Sequence, residues 1–399
     1  MYGWRSSRFA ILVILMRFAV DAHAIGRHLT GNEVYIRSLL NSLAAQDPDA
    51  DLLAYVSSDE ARRALSSKIR TRRVSTNPFR RLGFDLPAKV LQDQPDLLHV
   101  QYTAPLGCPV PVVVSVHDVS FLEHPEYFTP ERAWQLRCTV GHTVRHAAKI
   151  LTGSEFSRTA ILKAYGDLEE DQVVVVPNAA PSEFRVISRE AAASAVCDRF
   201  SIPGPFLLGV GDLQPRKNQI GLIRAFARLI RAYPQFPHSL VLAGKETWFA
   251  PRVHEAARES GVADRIRFVG FVSDRELLQL YNACDVFVFP SYYEGFGLPA
   301  LEAMACGRAV VSSNTSALPE VVDGAALLCD PYSVGEMVRA IADLLLDSEL
   351  RARMGRLGLQ RAAHFSWRSA AQKTLDVYQA VAEAPRTVTQ RVALTTVIH

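Results

Sequence analysis

The sequence has no CxxC pair, and its six cysteines (108, 138, 197, 284, 306 and 329) are scattered along 399 residues. It therefore gives no sign of a metal cage or a disulfide framework. Most of these cysteines stand beside apolar residues and read as buried free thiols in a reducing compartment. Low-complexity tracts are missing too, and with 49% hydrophobic and 21% charged residues the composition is that of an ordinary globular protein. The net charge of +3 is too small to imply a nucleic-acid partner. No apolar run is long enough to span a membrane. The longest, Phe9 to Met16 and resuming after Arg17, reaches about twelve residues, short of the roughly 18–20 required. Arg5 and Arg8 precede it as in a signal peptide, but no small-residue cleavage site follows. Residues 1–15 read better as an upstream extension or a misassigned start, without a role in catalysis.

What is present is a chain of strand and helix patterns whose most informative stretch runs from Cys284 to Pro331. Asp285-Val-Phe-Val-Phe-Pro290 has the length and β-branched, aromatic content of a buried strand. Ser291 to Leu298 is turn-rich. Pro299 suits the first position of a helix, which Gly307 ends. Arg308 to Ser312 is the next strand. A glycine loop at the carboxyl end of a strand is where ligands bind in open α/β sheets. Glycines 295 and 297 allow positive φ and close approach of backbone N–H groups to an anion, and the following helix aims its positive end at the same place. Glu294 and Glu302 bracket the loop with seven residues between them. Backbone and dipole suit a diphosphate, and carboxylates suit sugar hydroxyls, so the stretch reads as a nucleotide-sugar site.

The fourteen residues from Glu294 to Gly307 resemble the signature of the retaining glycosyltransferases of family 4. The resemblance runs over roughly 16–385. It implies the GT-B architecture, in which two Rossmann-like, doubly wound α/β domains face each other across a cleft. The expected division is an extension at 1–15, an acceptor domain at 16–185 and a nucleotide-sugar domain at 186–365. A helix at 366–385 crosses back onto the first domain, and 386–399 form a tail.

Along the chain, Met16 to Asp21 resembles the family's opening strand, and Gly31 matches the glycine of its first loop, near the donor phosphates. A helix is expected at about 32–45. Asp47-Pro-Asp49-Ala-Asp51 has Asp-x-Asp spacing but reads as a solvated turn rather than a metal site. Between Arg62 and Arg81 lie eight basic residues (62, 63, 68, 70, 72, 73, 80 and 81) and no acidic ones. Such a run is either a solvated loop and helix face or a contact with an anionic membrane. Two buried strands precede His117-Asp118, a polar pair at a strand's carboxyl edge, with Asp118 placed to orient the imidazole. In the resemblance the histidine lies against the donor sugar. Ser154-Glu155-Phe156-Ser157 and Leu318-Pro-Glu320 are also family-like, and Ala179 stands where the family has a glycine. The second half opens with a strand ending at Gly211, then Arg216-Lys217 before a helix, where two cations can hold a diphosphate. The family often carries an arginine where this chain has Asp212, a departure for which Arg216 could compensate.

The resemblance implies metal-independent transfer of a hexose, with retention, from a nucleotide diphosphate sugar. Lys217, Arg216 and the loop amides of Gly295, Phe296, Gly297 and Leu298 would stabilise the departing diphosphate. Glu302 would bind the ribose, and His117 and Glu294 the donor sugar. No cofactor is expected beyond the donor. Similarity to bacterial mannosyltransferases of surface polysaccharide suggests GDP-mannose as donor and a saccharide or polyisoprenoid-linked saccharide as acceptor. The expected location is cytoplasmic, peripheral on the inner face of the membrane. A UDP-glucose-type transferase and a non-catalytic nucleotide-sugar binder are the alternatives. An epimerase fits the intact Glu pair and the Arg-Lys loop less well.

Overall fold

The computed structural model describes residues 16–27, 30–47 and 50–385. The extension at 1–15, the tail at 386–399 and the middle of the Asp-x-Asp turn lie outside these. Asp51 itself pairs with Arg17 (2.6 Å) and Arg70 (2.6 Å).

Two parallel sheets carry the fold. The first has seven strands: β1 (Arg17–Asp21), β2 (Asp51–Val56), β3 (Arg70–Arg73), β4 (Leu97–Gln101), β5 (Val112–Ser115), β6 (Lys149–Thr152) and β7 (Val173–Val175). Their order is β3-β2-β1-β4-β5-β6-β7. The second has six: β8 (Phe206–Val210), β9 (Ser239–Ala243), β10 (Ile266–Gly270), β11 (Val286–Phe289), β12 (Ala309–Ser313) and β13 (Leu327–Cys329), in the order β10-β9-β8-β11-β12-β13. Strand order reverses between β1 and β4 and again between β8 and β11. Parallel strands covered by helices on both faces must be apolar throughout, and β4, β5, β11 and β12 are buried at every residue. At each reversal the loops diverge to opposite faces and leave a crevice at the carboxyl edge.

The helices expected at about 32–45 and 366–385 fall at Thr30–Gln46 and Trp367–Glu383, and the helix expected after Arg216-Lys217 is Gln219–Ala232. Other elements depart from the sequence reading. The basic stretch at 62–81 contains β3 and the start of a helical run, rather than a loop and a helix face alone. Between the two halves runs the helix Arg189–Phe200, which the sequence reading did not name and whose Ala192 and Val196 pack with Phe206 and Leu208. The helix after the signature loop begins at Leu298, which puts Pro299 at its second position. Gly307, at φ 69°, closes that helix: its N–H donates to Met304 O (2.8 Å) and that of Arg308 to Ala303 O (3.0 Å), the double bond of a glycine-terminated helix.

Trp367–Glu383 returns to the first half. Trp367, Ala371, Leu375 and Tyr378 join one buried cluster with Ile36, Leu39 and Leu43 of the first helix. No helix among the described residues is long and apolar enough to cross a membrane.

Candidate active site

The carboxyl edges of the two sheets face each other across a cavity of about 280 Å³, lined by residues from both halves. Gly31, Tyr35, Tyr102, His117, Asp118 and Asn178 come from the first half. The second half supplies Gly211, Asp212, Arg216, Lys217, Gly244, the loop from Glu294 to Pro299, and Glu302. Every site residue named from the sequence lies on this one cleft.

Its centre is a buried ion cluster. The loop after β8 tightens into a single helical turn, Pro215–Lys217, where Asn218 takes a left-handed φ of 54° and caps the next helix with its side chain. That turn presents two cations to one carboxylate. Lys217 Nζ donates to Glu294 Oε1 at 2.6 Å, and Arg216 Nη1 lies 3.2 Å from Glu294 Oε2 and 3.6 Å from Asp118 Oδ2. Burial pushes the Glu294 carboxyl up, but Lys217 and Arg216 outweigh it and hold the group below its ordinary range. Both oxygens of Glu294 are therefore held by cations. The ammonium of Lys217 also lies 4.9 Å from the Phe289 ring centroid. Asp212, where the family often has arginine, instead accepts the backbone N–H of Lys245 at 3.1 Å.

The two loop glycines serve different ends. Gly297 caps the helix at φ 102°, where a side chain would be strained and a Cβ would meet Leu318 at 2.5 Å. Gly295 has no positive φ, contrary to expectation. Its missing side chain is required by space, because a Cβ there would lie 1.9 Å from His117 O. Gly295 O also accepts from Ser154 Oγ (2.7 Å) and Ser157 Oγ (3.1 Å), so the loop is pressed onto the first half. The ring of Phe296 packs edge-on against Phe365, just before the returning helix. Gly31 lies in the first turn of its helix, where an added Cβ would meet nothing within 4 Å, so packing here does not require a glycine.

His117 is oriented by a residue the sequence reading did not name. Asp118 does not hold the ring: its Oδ1 accepts from the N–H and O–H of Ser120, and its Oδ2 faces Arg216. The partner of His117 Nε2 is Gln101 Oε1, at 3.2 Å. Tyr35 and Tyr102 meet the imidazole edge-on, with centroids at 4.6 and 5.6 Å. Burial lowers its pKa to about 4, so the ring is neutral near pH 7. Tyr102 has φ 59° at the centre of a three-residue turn closed by Thr103 N–H to Gln101 O (2.7 Å), a rare conformation for an aromatic residue. Behind them, Tyr35 bonds Ser115, Ser115 bonds His99, and His99 bonds Tyr378 of the returning helix. Gln101 ends a buried strand at a sheet reversal and Tyr102 follows it, the same signal that singled out His117.

Two further family-like segments meet across the halves. The Glu320 carboxylate accepts the backbone N–H groups of Glu155 (3.0 Å) and Phe156 (3.1 Å), capping the helix Glu155–Ala164 from the other half. Arg37, on the first helix, pairs with Asp274 at 2.6 Å. Glu302 is buried and accepts from Tyr281 Oη at 3.0 Å. Burial raises its pKa to about 7, with Asp274 and Glu183 adding to the shift.

This raised carboxyl carries a signed prediction. From the unfolded value near 4.5 up to about 7 the folded protein holds a proton that the unfolded chain has lost, so stability declines as pH rises through that window and levels off above it. Glu302→Gln should be as stable as the wild type at pH 4.5. At pH 8 it should be more stable, by on the order of 2–3 kcal/mol, in urea unfolding. A difference independent of pH would refute the buried-acid account.

Both halves of the chain resemble known proteins. Residues 29–184 match the model "Glycosyltransferase Family 4", and residues 201–361 match "Glycosyl transferases group 1". The chain is 33% identical over 268 residues to O-antigen chain mannosyltransferase B of Escherichia coli, covering 67% of this chain and 70% of that one. It is 35% identical over 215 residues to the serotype-specific mannosyltransferase WbdA of the same organism, 53% of this chain but only 26% of that one. Among solved structures, HepE of Anabaena, crystallised with UDP and glucose, superposes with a TM-score of 0.72 at 21% identity, over 92% of this chain and all of that one. The chain belongs to the family 4 glycosyltransferases and has their GT-B fold.

Proposed function

We propose that the protein is a retaining, metal-independent hexosyltransferase that moves mannose from GDP-mannose to a saccharide or polyisoprenoid-linked saccharide acceptor in polysaccharide synthesis. The observation that carries this reading is the buried cluster of Arg216 and Lys217 around Glu294, beside the glycine loop and its helix. Two cations and a helix N-terminus converge where a leaving diphosphate would gather charge, in a site walled from water. There they stabilise the transition state more than the ground state. Glu294 keeps both cations aimed at that point. The C1–phosphate bond breaks, the acceptor oxygen bonds to C1 on the same face, and the acceptor proton passes to the departing phosphate oxygen. His117 is neutral and its Nε2–H is held by Gln101 Oε1, so its Nδ1 would accept from a sugar hydroxyl without adding charge. Glu302, five residues into the helix, accepts from the ribose.

Mannose is favoured by the names of the relatives at 33 and 35% identity. The deciding experiment is thermal-shift binding of the purified protein to GDP, UDP, GDP-mannose and UDP-glucose with EDTA present. Ligand held by the native state raises its apparent stability by mass action. We expect a shift with the GDP pair alone. A shift with the UDP pair alone would replace the donor, and none with any nucleotide would overturn the reading. Proton NMR of the product's anomeric centre tests retention.

A further inference from the structure

The helical run at 78–93 turns an apolar patch to water as well as an apolar face to the core. It comprises Pro78–Arg80, a wider turn at Arg81–Asp85 and the helix Leu86–Asp93. Its charged side chains turn inward. Arg81 is buried and lies 3.5 Å from Asp21 at the carboxyl end of β1, Asp85 pairs with Lys89, and Asp93 accepts from Tyr55 Oη at 3.0 Å and from Arg72. Leu86 and Val90 are buried in the core, but three other apolar side chains turn outward. Phe79 is 81% exposed, Phe84 78% and Leu91 37%, with Gly83 and Ala88 also exposed and Arg80 the charged member among them. A helix that buries ion pairs and shows phenylalanines to water has an unmet partner on that side.

The surrounding charge indicates which partner. Of the eight cations of the basic stretch, Arg70, Arg72, Arg73 and Arg81 are taken by Asp51, Asp93, Asp59 and Asp21. Arg62, Arg63, Lys68 and Arg80 are exposed and have no carboxylate partner among the described residues. Exposed phenylalanines beside Arg80, following a stretch that leaves three more cations unpaired, match the acyl boundary of an anionic bilayer, where apolar tips enter and cations stay at the head groups. The run begins beside Asp21, on the same carboxyl edge as the cleft.

We propose that the exposed face of residues 79–91 docks on an anionic lipid surface, with Phe79 and Phe84 inserting into the acyl boundary and Arg80 held at the phosphates. This deepens the proposed function, because a bilayer seated there would bring a lipid-linked acceptor to the cleft, and it rests on that reading only for the acceptor. Phenylalanine insertion, rather than the arginine stretch as a whole, would then dominate the affinity.

The test is sedimentation of the full chain with vesicles of phosphatidylcholine alone, or mixed with phosphatidylglycerol, for the wild type, Phe79→Ser/Phe84→Ser and Arg80→Glu. We expect the wild type to bind the mixed vesicles, and both variants to lose about 10-fold or more of that affinity. Each variant should keep the wild type's nucleotide-induced thermal shift, which shows that the fold and donor site are intact. No vesicle binding by the wild type, or equal binding by the phenylalanine variant, would overturn the proposal. So would self-association of the wild type that this variant abolishes without any vesicle binding, since the face would then be an interface between two copies. Vesicle binding without any nucleotide shift would instead count against the donor reading and leave the docking face standing.

Discussion

Lys217→Met should lower kcat about 10³-fold, with little change in the KM for the donor if the ammonium acts mainly on the departing diphosphate. Methionine keeps the stem that crosses Gly211 and the contact with Phe289, so the charge is what is lost. The substitution also leaves Glu294 with Arg216 as its cationic partner, and breaking a buried ion pair costs about 3–5 kcal/mol. A loss of rate could therefore be blamed on unfolding. The double variant Lys217→Met/Glu294→Gln separates the two, since it removes the uncompensated carboxylate. It should regain most of the stability seen in urea unfolding while remaining as slow as the single variant. Recovery of rate along with stability would show that Lys217 is structural, and the placement of the diphosphate would fall with it.

Gly295→Ala should be nearly as damaging through a single methyl group. The new Cβ would sit 1.9 Å from His117 O and 3.0 Å from Asp118 Cβ, and the nearest contact is backbone, which cannot rotate away. Relief requires the loop to back out of the first half, breaking the bonds from Ser154 and Ser157 and shifting Glu294 relative to His117. Displacements of about 1 Å in a catalytic constellation cost on the order of 10²-fold in rate, and the overpacking itself about 1–3 kcal/mol. Gly31→Ala is the matched control for folding, since its Cβ meets nothing within 4 Å among the described residues and should leave stability near the wild type. Equal stability of the two variants in urea unfolding would remove the steric account.

The signature loop, the cation pair and the alternation of strand and helix were legible because each is local: a spacing, a period, a residue type at a strand's edge. What escaped depends on contacts remote in sequence. Gly295 was read as conformational freedom because a sequence displays torsion preferences and not the carbonyl of His117 lying against it. Asp118 was assigned to its neighbour, whereas three-dimensional packing gives that task to Gln101, sixteen residues earlier. The family-like pair of Ser154–Ser157 and Leu318–Glu320 carried no visible purpose until the fold placed one carboxylate on two backbone N–H groups. The basic run looked uniform in sequence, and the structure splits it into paired and unpaired cations because their carboxylates come from β1, β2 and beyond.

The returning helix has a consequence for how the chain is made. Trp367, Leu375 and Tyr378 complete the apolar cluster around Ile36 and Leu39, and Tyr378 ends the buried hydrogen-bond chain that reaches Tyr35 behind His117. Domains generally fold as units, the N-terminal one first during synthesis. Here the first half emerges first yet stays unfinished until about 190 further residues have been translated. A chain stopped before this helix lacks the side chains that cover Ile36 and Leu39, so the apolar seam of the first half closes only once synthesis has passed Tyr378.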